Sequence, residues 1–334
     1  MSHLLGSLIQ YSLIYCFVVG LILCLRGPVS RIAGARWAYA LWFALFIPLV
    51  IPVIAWLVPL PLASPLIESI SVPETVTSTA SSDLLEIFVV ISMCIWLGGV
   101  FISAWRVAYV NQRLKRSLYT SRLELTRVQQ REINQICSKL RIFPIPVVRF
   151  SPDMEGPALF GILNPVVYLP HQFFDRFTAR ERTLMMFHEL CHYRRKDAWW
   201  NILFCVLNCL FWFNPLFRFA EHRFRLDQEH SCDQFVLWDE PKAQRALYAG
   251  ALLKIAAPTE AHGLVHFQSN APEVMARMTM MEHHKKTTPQ SVFGFAGLAL
   301  VLFLTLIVTA PVVEANDPIG LVSSWCTTYK GLGL

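Results

Sequence analysis

The chain has 334 residues, of which 54% are hydrophobic and only 16% charged, with a formal net charge of +6 at pH 7. So little charge, joined to a positive mean hydropathy, excludes an ordinary water-soluble globular protein and a disordered one. The expected class is a mainly α membrane protein.

Four stretches are long and apolar enough to cross a bilayer, which takes about 20 residues: 4–25, 37–62, 84–110 and 292–313. The first carries no Lys or Arg ahead of its apolar run and no small-residue cleavage site after it, so it reads as a retained span rather than a cleaved signal. Basic residues set the orientation. Arg26, Arg31 and Arg36 crowd the first connection, no Lys or Arg occurs between Arg36 and Arg106, and the loop 63–83 is rich in Ser, Thr and Pro. Both termini are therefore expected outside. The predicted organisation is a membrane region over 1–110 with its outer loop at 63–83, a cytoplasmic segment over 111–287, and over 288–334 a fourth span with a short outer tail.

Within the cytoplasmic segment, residues 113–142 carry Leu118, Leu125, Val128, Ile133, Ile136 and Leu140 at mostly helical spacing, which predicts a connector helix. Its Lys and Arg serve topology or anionic lipid more readily than nucleic acid. Residues 143–170 are rich in Pro and β-branched side chains, and 146–150 and 166–169 read as short strands joined around Gly156, Gly161 and Asn164-Pro165. They form either a structural hairpin or a surface on which an extended substrate pairs.

The next predicted helix contains His188-Glu189-Leu190-Cys191-His192, preceded by 179–187 without Gly or Pro. Residues four apart lie one turn above each other, so His188 and His192 can offer two imidazole nitrogens to one tetrahedral Zn²⁺. Such a metal activates a water and polarises a carbonyl, and Glu189 is placed to take the water's proton and return it to the leaving amine. A third ligand is still needed. Glu229 and Asp233 share a helical face on 217–238, so one carboxylate can ligate while the other orients His188 or His192. The competing reading is a polar patch with an accidental histidine pair.

Between the two helices, 198–219 is apolar enough to pass for a fifth span. A crossing there would separate Glu229 from His188 and put Arg218, Arg223 and Arg225 outside, against the positive-inside bias. Asn214-Pro215 instead predicts a turn, and a hairpin whose apolar surface is domain core or dips into the bilayer, where Asn201 and Asn208 make full lipid exposure costly. Nine cysteines occur without any Cys-x-x-Cys pair and read as reduced thiols. Packing is the expected role of Cys191 and Cys232, ahead of metal ligation, and Cys326 is either a free thiol or a link to another chain. His222, seven residues before Glu229, is set as a transition-state stabiliser against the default of a surface histidine.

Several pieces, in order, resemble the BlaR/MecR family of membrane zinc metallopeptidases, the sensor-transducers of β-lactam resistance regulons: 160–170, His188 to His192 with Arg195 and Asp197 after it, Trp212-Phe213-Asn214-Pro215, and Glu229 to Asp233. The resemblance implies four transmembrane helices and a cytoplasmic gluzincin-like zinc protease domain with a small β-sheet, in a bacterial cytoplasmic membrane. It implies that His188, His192 and Glu229 hold Zn²⁺, with Glu189 as catalytic base and Asp233 behind the ligands. It also implies regulated cleavage of a cytoplasmic protein, typically a transcriptional repressor, with self-cleavage as a further option. The expected partners are that protein substrate and membrane lipid, with a homodimer left open and no direct nucleic acid. Unlike the β-lactam sensors, this sequence has no Ser-x-x-Lys, and with only about 21 residues following its expected last span, no penicillin-binding domain is expected there. The input is therefore expected from the outer loop, the tail, the bilayer or a separate partner. Two other functions compete: a constitutive quality-control protease like the HtpX class, and a non-catalytic receptor or scaffold. Glu189 speaks against the scaffold, because a structural zinc needs no carboxylate base beside its ligands.

Overall fold

The computed structural model describes residues 2–50, 82–118, 124–152, 154–256, 274–279 and 291–315. Most of the expected outer loop, the end of the second expected span, Cys326 and the expected tail beyond 315 lie outside the described residues.

The chain begins with helix α1 (Ser2–Ile32), turns, and returns as α2 (Ala35–Leu41), a 3-10 turn (Trp42–Phe46) and a further helical stretch to 50. The turn is made by Gly34, whose φ of 100° lies in the region that favours glycine and where a Cβ would also sit 2.6 Å from the Gln234 side-chain amide. Helix α3 (Ser82–Leu118) follows. Among the described residues, α1 over 6–32 and α3 over 86–116 are the two helices long and apolar enough to span a bilayer. Shorter apolar helical stretches occupy Ala35–Val50 and, within α10 (Ser291–Ala315), Phe293–Ile307.

The expected connector is two helices. After α3 ends, Thr126 and Gln129 form a reciprocal capping box that starts α4 (Arg127–Lys139) afresh, and this cap is why the apolar stripe does not run as one helix.

Three strands then build one sheet in the order β1 (Val147–Ser151), β3 (Val166–Pro170), β2 (Ala158–Phe160). The two strands expected from sequence are present, but they run parallel, with Val148 opposite Val167. The hairpin is made instead by β2 and β3, antiparallel with Leu159 opposite Val167. Gly161, at φ 103°, shapes its turn: a Cβ there would lie 2.7 Å from the Asn164 carbonyl.

After a short helix α5 (Phe173–Arg176), α6 (Ala179–Arg195) opens on a second capping box, Thr178 with Glu181, and ends at Lys196, whose left-handed φ of 56° reverses the chain into α7 (Asp197–Leu210). A tight turn over 211–214 leads to α8 (Pro215–Val236), with Asn214 Oδ1 accepting from the Leu216 amide at 3.0 Å and Pro215 as its first residue. The down-and-back path expected at Asn214-Pro215 is thus observed. Its tip lies on α3, where Trp96 Nε1 donates to the Leu210 carbonyl (2.9 Å) and Trp212 Nε1 donates to the Trp96 carbonyl (3.2 Å), with Gly99 beneath the Trp212 indole. Helix α9 (Lys242–Ala256) closes the group.

Two cores hold these elements. In one, Tyr15, Ile22, Trp42 and Leu45 pack with Phe204, Phe211, Phe217 and Phe224, joining α1 and α2 to α7 and α8. In the other, Val148, Val167 and Leu169 of the sheet pack on Leu184, Met186 and Leu190 of α6 and Tyr248 of α9. Helices α6 and α8 therefore stand between the apolar N-terminal hairpin and the sheet.

Candidate metal centre

The four-residue spacing on α6 stacks the two imidazoles on one face, with ring centroids 4.8 Å apart and Nε2 atoms 3.1 Å apart. Helix α8 brings Glu229 against both: Oε2 lies 3.0 Å from His188 Nε2 and Oε1 lies 3.4 Å from His192 Nε2. In a tetrahedral zinc site with bonds of about 2.0–2.1 Å, neighbouring ligand atoms stand roughly 3.3 Å apart. Separations of 3.0, 3.1 and 3.4 Å bracket that edge, so the three donors fit a single small divalent cation.

Behind each imidazole stands a carboxylate. Asp233, one turn after Glu229, places Oδ1 3.1 Å from His188 Nδ1, off the line of a straight hydrogen bond. Of the two imidazoles that spacing allowed it, His188 is the one it meets. His192 Nδ1 pairs instead with Asp197 Oδ2 at 2.7 Å, from the first residue of α7. Such carboxylate backing fixes the tautomer and aims the other nitrogen at a metal. The only sequence signal for Asp197 is an acid five residues past the second histidine, which by itself assigns it no task.

Glu189 stays out of the ligand cluster. Its Oε2 accepts from the Leu159 amide of β2 at 3.0 Å, so the edge strand and the carboxylate share one wall of the cleft. Burial raises the Glu189 carboxyl above its ordinary range, the direction a group exchanging protons near neutrality requires.

Arg277, in the helical segment 274–279, was not foreseen. Its Nε and Nη2 donate to Asp233 at 2.8 and 2.7 Å, and its Nη1 lies 3.2 Å from Glu229 Oε2. Tyr248 of α9 adds its hydroxyl to Asp233 at 2.9 Å. Both arrive through tertiary packing, and neither has a local sequence signal. Burial would by itself raise the Glu229 and Asp233 carboxyls. The imidazoles and Arg277 outweigh it for Glu229, Arg277 and His188 do so for Asp233, and both are held below the usual range. Burial likewise opposes a charged His188, but Glu229 and Asp233 overrule it and lift the imidazole to about 9.

His188, Glu189, His192, Glu229, Tyr248 and Arg277 line a cleft of about 550 Å³ that also includes Ala158 and Leu159 of β2. His222 is exposed on α8 and does not line it. Cys191 is buried, and Cys232 Sγ lies 3.5 Å from His192 Nδ1, on the side of the ring away from the three converging atoms. A second cluster, His192, Asp197 and Cys232, shares that nitrogen with the Asp197 hydrogen bond.

The family model for the BlaR1 peptidase M56 matches residues 6–281, more than half of the chain. Among curated proteins, the chain is 29% identical over 164 residues to the regulatory protein BlaR1 of Bacillus licheniformis, a match covering 48% of this chain and 26% of that protein. It is 22% identical over 224 residues to the methicillin resistance mecR1 protein of Staphylococcus aureus, covering 64% of this chain and 34% of the relative. The matched stretches thus span roughly a quarter to a third of the relatives' length.

Proposed function

The chain belongs to the BlaR1 peptidase M56 family, and on that premise we propose that it is a zinc metalloendopeptidase of the bacterial cytoplasmic membrane. In this reading it is multi-pass, with four spans and both termini outside, and cuts a cytoplasmic protein such as a transcriptional repressor when a signal reaches the membrane. The observation that carries the reading is the convergence of His188, His192 and Glu229 at 3.0–3.4 Å beside Glu189, in a cleft bordered by a strand edge. His188, His192 and Glu229 would hold the ion, which when bound supplies a Lewis acid for the scissile carbonyl and a water of lowered pKa. Glu189 receives the water's proton and hands it to the departing amine, a double task that suits a carboxyl raised by burial. Asp197 and Asp233 face the Nδ1 atoms of His192 and His188, which leaves each Nε2 aimed at Glu229 and the ion. Arg277 balances the negative charge that Glu229 and Asp233 concentrate in the cleft.

The test compares wild type, Glu189→Gln and His192→Ala in membranes, following zinc content and chain length with a candidate repressor present. The reading expects wild type to cut the repressor or itself, Glu189→Gln to keep zinc and cut nothing, and His192→Ala to lose zinc. Equal cutting by wild type and Glu189→Gln, or a wild type that holds no zinc, overturns it.

A further inference from the structure

Asp197 is held at both oxygens. Oδ2 meets His192 Nδ1 at 2.7 Å, while Oδ1 accepts from the Tyr39 hydroxyl at 3.1 Å and from Arg195 Nε at 3.2 Å. Tyr39 belongs to α2 of the N-terminal hairpin, 158 residues away in sequence, and is buried. The same hydroxyl accepts from Gln228 Nε2 at 3.2 Å, and Gln228 immediately precedes Glu229 on α8. The Arg195 guanidinium covers the Tyr39 ring at 4.3 Å and donates Nη1 to Ser231 Oγ of α8 at 2.9 Å. One phenol therefore touches the carboxylate behind His192 of α6 and the residue next to Glu229 on α8.

The hairpin bearing it is pinned along the same face of α8. Arg26 Nε donates to Asp227 Oδ2 at 2.8 Å, Trp42 Nε1 donates to the same oxygen at 2.8 Å, and the Arg36 amide donates to Gln234 Oε1 at 3.1 Å. A carboxylate bonded at both oxygens cannot swivel, and the imidazole it carries is then fixed in plane. Shape alone would be met by phenylalanine, which fills the same volume among Phe43 and Phe224. What phenylalanine would lack is the hydroxyl that links Asp197 to Gln228.

Building on the metal-site reading above, we propose that Tyr39 is a positioning residue: its hydroxyl fixes Asp197, and through it His192, while bracing Gln228 beside Glu229, so that the seat of the α1–α2 hairpin sets the geometry of the metal ligands. A displacement of that hairpin reaches the metal without any group of the hairpin touching it.

The test is zinc retention by the full-length protein. Wild type, Tyr39→Phe, Asp197→Asn and Arg26→Met are loaded with zinc and challenged with a chromophoric chelator, and cobalt-loaded samples are compared by visible absorption. Loss of a direct carboxylate partner costs about 10–100-fold in metal affinity, and Tyr39→Phe, acting one bond further out, is expected to cost at least about 3-fold but less than Asp197→Asn. A shifted cobalt band should accompany it, while the thermal unfolding midpoint of the metal-free protein falls less than in Arg26→Met. Tyr39→Phe holding zinc as tightly as wild type, with an unchanged cobalt band, overturns the inference. So does a loss matched by Arg26→Met and by an equal fall in metal-free stability, since that is general loosening. A wild type that takes up neither metal defeats the metal-site reading itself, a result distinct from either.

Discussion

Among the described residues Arg277 meets two carboxylates and a phenol, Asp233, Glu229 and Tyr248, with its side chain 13% exposed. Deleting one partner of a buried ion pair strands the other, which costs about 3–5 kcal/mol. Arg277→Met is therefore expected to lower the thermal unfolding midpoint of the metal-free protein by several degrees, and an unchanged midpoint would contradict the role given to the pair. At this scale the two histidines were legible because they sit four apart on one regular helix, where that spacing is a statement about direction, and the third donor was narrowed by spacing only to Glu229 or Asp233. Asp197 was half visible, close in sequence but across a helix break. Tyr39, Tyr248 and Arg277 were not visible, since nothing local links residues 39, 248 and 277 to residue 188.

Helix α6 carries both histidines, and its first turn is tied down by Glu181. Burial alone would raise this carboxyl. The Lys254 ammonium at 2.7 Å and the Thr178 amide at 2.8 Å outweigh it and hold Glu181 below its ordinary range. A group with a depressed folded-state pKa stabilises the fold above its unfolded value of about 4.3 and loses that contribution as pH falls through the folded value. Glu181→Gln should thus cost about 1–2 kcal/mol at pH 7, and the gap to wild type should narrow in thermal melts taken at successively lower pH below about 4. A gap that is constant or widens with acid would show that the carboxylate charge is not what anchors the helix. Elements were read with uneven success for physical reasons. The α7–α8 reversal was legible because Asn214 caps α8 and Pro215 starts it, and because a crossing would have stranded basic residues outside. Strand β2 was missed because Ala158-Leu159-Phe160 is too short to display a two-residue period. The connector was read as one helix because an apolar stripe continues across a capping box without registering it.

Over the whole molecule, the apolar N-terminal hairpin and the ligand-bearing α8 share a core, so the apolar helices and the metal site are one packed unit among the described residues. Composition pointed to apolar helices, and motif spacing paired the two histidines and offered Glu229 or Asp233 as a third donor. How the two meet depends on polar contacts such as Arg26 with Asp227 and Tyr39 with Asp197, which no pattern within either segment encodes. X-ray absorption of the zinc-loaded protein reads directly whether one metal ion is held by His188, His192 and Glu229. The expected spectrum is that of a four-coordinate shell of nitrogen and oxygen at about 2.0–2.1 Å, with imidazole scattering from two rings and no sulfur. A zinc–sulfur distance of about 2.3 Å would move the metal to Cys232 and the Nδ1 side of His192, and would contradict it.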